Sequence, residues 1–121
     1  MAAKSKVYTV SKDKYEYIRK KTDGKYNNTI VFHIAAALGI KHGKKKELRG
    51  KRTDLINVPE VDKDKYLRSL LMAKREDLFG KDYGDEEFLT ELEKYAEYGV
   101  EAIYQDLVKF GTVKISKYAK S

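Results

Sequence analysis

Apolar positions along the chain change period several times, and each change marks an element. "KVYTV" (6–10) alternates apolar and polar residues with β-branched and aromatic types, which predicts a short strand. Ser11 then stands as an N-cap for "KDKYEYIRKKT", where Tyr15 and Ile18 form an inner face and Val10 serves as a staple. After the turn residues "TDGKYNN", Asn28 caps a second helix over about 29–38, with Gly39 read as its left-handed terminator. Its stripe of Ile30, Val31, Ile34, Ala35 and Leu38 is wide enough to place it near the centre of a core. "TDLINV" (53–58) predicts a second strand, and Pro59 a break.

A third helix is expected over about 64–79, with Tyr66, Leu67, Leu70, Leu71 and Leu78 inward. The longest stripe follows, where Phe88, Leu92, Tyr95, Ala96, Gly99, Ile103, Leu107 and Phe110 recur at intervals of three and four over a helix spanning 85–110. Such a helix extends about 39 Å, at 1.5 Å per residue, whereas a domain of this size has a radius of gyration near 13–14 Å. Part of the stripe is therefore expected to project and be covered by a second copy or another subunit, with Phe88, Leu92, Gly99, Ile103 and Phe110 as the self-association residues. The competing expectation is that helices 64–79 and 29–38, end to end, cover it within one chain. Gly99, costly inside a helix, implies a close helix approach or a kink.

These elements make a mostly α fold: about four helices, one to three short strands, a ribbon-helix-helix-like N-terminal half and a long C-terminal helix. The 121 residues fit one domain, with 1–5 and 112–121 expected to be flexible. The segment 112–121 reads as a basic tail or a terminal strand. No apolar run approaches the roughly 20 residues of a membrane span, and "MAAKSKVYTV" lacks a secretory apolar core. With no cysteine, disulfides and thiolate metal sites are excluded. The expected location is cytoplasmic.

Charge changes the picture most. Residues 1–52 carry 15 Lys/Arg against 4 Asp/Glu, while 53–110 carry 8 against 15. The chain therefore has a basic and an acidic pole, or two faces that neutralise each other in an oligomer. The basic density peaks in "GIKHGKKKELRGKR" (39–52), where Lys41, Lys44, Lys45, Lys46, Arg49, Lys51 and Arg52 stand against Glu47 alone. Gly43 and Gly50 let backbone approach a phosphate chain there, and His42 is read as a phosphate neighbour. The bland explanation is a solvated loop or a dock for an acidic protein surface.

Catalysis finds no support in the residues. His33 and His42 lie nine apart, too far to share a helix face as ligands, and His33 reads as a core-flanking histidine. "DEEFLTELE" resembles a solvated helix face rather than a metal site, and no phosphate loop, nucleophile elbow or zinc pattern occurs. No cofactor is expected. Ten tyrosines are many for this length; Tyr8, Tyr15, Tyr17 and Tyr26 lie in the basic half, where stacking on bases is one use and capping a core is the commoner one.

"VYTVSKDKYEYIRKKTDGKYNNTIVFHIAAALGI" resembles, loosely, the small E protein of the bacterial Dnd DNA-phosphorothioation system. Across nearly the whole chain, "TIVFHIAAALGIKHGKKKEL" and "ELEKYAEYGVEAIYQDL" are similar to small Dnd-system-associated accessory proteins. The segments "VFHIAAALGIKHG" and "YAEYGVEAI" carry that likeness. The resemblance implies a place beside a phage-defence system that modifies or restricts DNA, and it supplies no catalytic residues. A short first strand and an added acidic helix depart from ribbon-helix-helix proteins, so base reading by paired strands is not expected. The resulting expectation is a non-catalytic DNA-associated accessory protein that grips phosphates with little sequence specificity. The alternative is an adaptor whose two poles dock other defence-system subunits.

Overall fold

A computed structural model describes residues 6–61, 65–81 and 85–111. The elements run β1 (Lys6–Thr9), α1 (Lys12–Lys21), α2 (Asn28–His42), β2 (Thr53–Asn57), α3 (Tyr66–Lys74) and α4 (Glu86–Phe110), with 3₁₀ turns at Val58–Glu60 and Glu76–Leu78. The mostly helical class, the strand–helix–helix order of the N-terminal half and the long last helix are as the periodicity predicts. The expected tail or strand at 112–121, the flexible 1–5, and the start of the third helix at Asp64 lie outside the described residues. No helix among the described residues is long and apolar enough to cross a membrane.

β1 and β2 form an antiparallel pair within the chain, with Val7 opposite Ile56 and Tyr8 opposite Asp54. Leu55 is the extra residue of a bulge, and that bulge is why the neighbours Leu55 and Ile56 both turn inward.

α2 differs from its expected form at both ends. Asn27, not Asn28, caps it, its side chain accepting from the Ile30 N–H at 3.0 Å. The helix runs through Gly39 and stops at Gly43, whose φ of 65° is the left-handed terminator. Gly39 is buried mid-helix for another reason. A Cβ there would stand 2.3 Å from the Tyr95 carbonyl oxygen, and one on Gly99 would stand 1.9 Å from that of Ala35. Each glycine thus receives the backbone of the facing helix, one turn from the residue that the other glycine receives. α2 and α4 cross there at backbone contact, and Gly99 marks a close approach. Apolar side chains on either side, among them Phe32, Ile40, Leu92 and Ile103, are almost wholly enclosed.

This crossing corrects the expectation that the α4 stripe projects. Phe88, Leu92 and Ile103 are at most 1 % exposed within the single chain, and Gly99 is buried. Of the five residues expected to mediate self-association, Phe110 alone is exposed, at 54 %, where the helix ends. α2 covers one side of α4, while β1 and α1 pack on another; α3 packs on α2 instead, and Arg75 just after it reaches Glu91 of α4. The third helix is shorter than expected, stopping at Lys74 before a separate turn, and Tyr66 faces outward.

Candidate nucleic-acid interface

Residues 44–52, between α2 and β2, have no regular structure. They begin where Gly43 ends α2 and must reach β2, which lies beside β1. On the way this segment lies against α4 as a strap, meeting it at Glu91, Lys94 and Glu101. The Lys46 N–H donates to the Lys94 carbonyl at 3.0 Å, which pins the strap to the helix backbone.

Side chains fasten it further. Lys45 pairs with Glu91, Lys46 with Glu101 at 3.8 Å, and Glu47 with Lys94 at 3.3 Å. Arg75, from the turn after α3, reaches the same Glu91 carboxylate at 2.7 Å while also binding Asp77. Glu91 therefore takes Lys45, Arg75 and Lys94 together. Burial alone would raise its pKa, but the hydrogen bonds from those three cations outweigh it and hold the group down at about 2. Burial likewise opposes the Lys94 charge, and the Glu91 and Glu47 carboxylates overcome it, raising the ammonium above its ordinary value.

The strap's cations fall into two groups. Lys45 and Lys46 are committed to α4. Lys41, Lys44, Arg49, Lys51 and Arg52 have no carboxylate of the described residues within 4.0 Å, and all but half-buried Lys41 are exposed. Lys44 lies over the Tyr98 ring at 6.0 Å, and His42 meets the same ring edge-on at 6.2 Å. Gly43 is used as the helix terminator rather than as a phosphate contact. His33 is half-buried on α2 and stacks on Tyr66 at 5.7 Å, away from the strap.

Sequence reasoning missed the acidic partners. The first acidic residues of "DEEFLTELE", Asp85 to Glu87, are exposed as a solvated face would be, but Glu91 and Glu93 are buried, as is Glu97 a turn later. Glu93 accepts from the Tyr8 N–H at 2.7 Å, and Glu97 from the Val10 N–H at 3.1 Å and the Ser11 hydroxyl at 2.8 Å, as well as from the Thr9 hydroxyl. The Tyr8 amide in β1 and the Val10 amide just past its end lie two residues apart, and carboxylates one helical turn apart are spaced to meet them. Ser11 begins α1 as expected, but its hydroxyl goes to Glu97 instead of capping the helix. Tyr15 is fully enclosed, which removes it from the candidate base-stacking residues; burial, and then Glu97, push its pKa well above 10.0. The charge segregation between the two halves is the one sequence signal that points to this internal pairing.

Compared with family models, with curated proteins and with solved structures, the chain matches none. Among the described residues no cluster of three or more His, Cys, Asp or Glu is arranged to hold a metal ion.

Proposed function

We propose that the protein is a non-catalytic nucleic-acid-associated accessory protein that grips the phosphate backbone with its basic strap. One observation carries this reading: α4 fixes the strap through Lys45, Lys46 and Glu47 while leaving Lys44, Arg49, Lys51 and Arg52 exposed and without a carboxylate partner among the described residues. A strap held in this way loses less freedom on binding than a loose loop, and its outward cations release counterions when they meet phosphates. The adaptor reading is less favoured because several acidic side chains it would use, Glu91, Glu93, Glu97 and Glu101, are engaged inside the fold. The resemblance to Dnd-associated proteins would make DNA the polymer and a DNA-modifying defence system the setting.

The test is fluorescence anisotropy with labelled DNA across a salt series. Four or five phosphates neutralised on a duplex give a slope of log affinity against log salt of roughly −4. The informative variant is Lys44→Glu/Lys51→Glu/Arg52→Glu, which spares the Lys45–Glu91 pair and hence the fold. Binding should be lost with the helical circular dichroism unchanged, and undiminished binding would remove the strap from the mechanism.

A further inference from the structure

The partly exposed face of α4 forms a floor beside the strap, and it is aromatic. Tyr98, Glu101 and Tyr104 follow one another at three-residue steps, so they span about 9 Å of helix. Above Tyr98 and Glu101 stand Lys44 and Lys46 of the strap. Beyond, α1 forms the opposite bank. Tyr17 meets Tyr104 edge-on at 5.1 Å, Lys14 lies over the Tyr104 ring at 5.6 Å, and Lys21 over the Tyr17 ring at 5.7 Å. Lys12, at the head of α1, donates to the Asp54 carbonyl two residues after the strap ends, which joins the banks. At the C-terminal end of α1, Lys21, Asp23, Lys25 and Tyr26 are among the residues lining a cavity of about 290 Å³.

Resting on the nucleic-acid reading above, we infer that this furrow is the path of a single-stranded nucleic acid. Phosphates lie along the lysines of both banks, and bases stack on the rings of the floor. Two features favour a single strand over a duplex. The floor presents rings, whereas duplex bases are stacked on one another and unavailable to a tyrosine. Moreover, a ring roofed by a lysine is a site a base takes by displacing a flexible ammonium, which then meets the adjoining phosphate. Glu101, the acidic group on the floor, is already paired with Lys46.

The experiment compares oligo-dT with a duplex of equal length on the full chain, for wild type, the strap variant named above, Lys14→Gln/Lys21→Gln, and Tyr104→Trp. Since the protein has no tryptophan, the indole introduced by Tyr104→Trp would be the sole reporter of its kind. The inference expects oligo-dT to bind more tightly than duplex, roughly tenfold weaker binding in the lysine double variant, a salt slope shallower by about 1.4, and quenching of the indole by oligo-dT. Failure of wild type to bind either polymer would overturn the phosphate-binding reading and this one with it. Binding that the strap variant loses but the α1 variant keeps, without indole quenching, would overturn the furrow alone. So would duplex preferred over oligo-dT. The glutamines replace surface lysines, so that arm is independent of any repacking around Tyr104.

Discussion

Gly39 and Gly99 decide how closely the two central helices approach. At Gly99 the intrinsic preference of a helix favours alanine by about 1 kcal/mol. Here the added Cβ would sit 1.9 Å from the Ala35 carbonyl oxygen, and backbone cannot step aside as a side-chain tip does. Gly99→Ala should therefore destabilise the protein by about 2–3 kcal/mol, despite the better helix former, with a melting temperature lower by roughly 10 °C. A melting temperature at or above wild type would show that the crossing is looser than described. The close approach is legible at Gly99, where a glycine sits on an apolar stripe. It is not legible at Gly39, because glycine serves both as a helix terminator and as a seat for a neighbouring backbone. Local pattern favours the first use there, and the true terminator, Gly43, lies four residues on.

Among the elements, α4 is legible in its stripe and illegible in its polar residues. The interval pattern gives Phe88 to Leu107 their inward direction, since periodicity depends on the helix alone. Glu91, Glu93 and Glu97 are buried because of what crosses the helix from more than 40 residues away, and no local pattern encodes that. The strap's fastening has a pH signature. Glu91 is held at about 2 against an ordinary 4.5, so the folded state binds its proton less readily than the unfolded one. The stability this gives is present in full above pH 4.5 and is lost as the pH falls from there towards 2. The full shift corresponds to at most about 3 kcal/mol, and the partial exposure of Lys45 reduces it. In urea titrations Glu91→Gln should be destabilised near pH 7 and should lose much of the acid-limb slope between about pH 4.5 and 2. An unchanged slope would assign acid sensitivity to other carboxylates.

For the molecule as a whole, the segregation of charge along the sequence is met in part inside the fold. The acidic helix is enclosed by the basic half of the same chain, with β1 on Glu93 and Glu97 and the strap on Glu91 and Glu101. A second copy is not needed to cover the stripe. What the enclosure leaves outside is the basic surface on which the functional proposal rests.

Because β1 is tied to α4 by bonds spanning 85 to 88 residues, the order of synthesis acquires a meaning. On the ribosome the N-terminal half emerges first, carrying its excess positive charge beside ribosomal RNA, before the helix that neutralises it has been made. Folding must wait for α4, since α2 lacks its crossing partner and the strap its fastening until then. A fragment ending at residue 84 should accordingly show no cooperative thermal transition and should bind RNA more tightly than the full chain; a cooperative melt of that fragment would mean that the first half folds unaided.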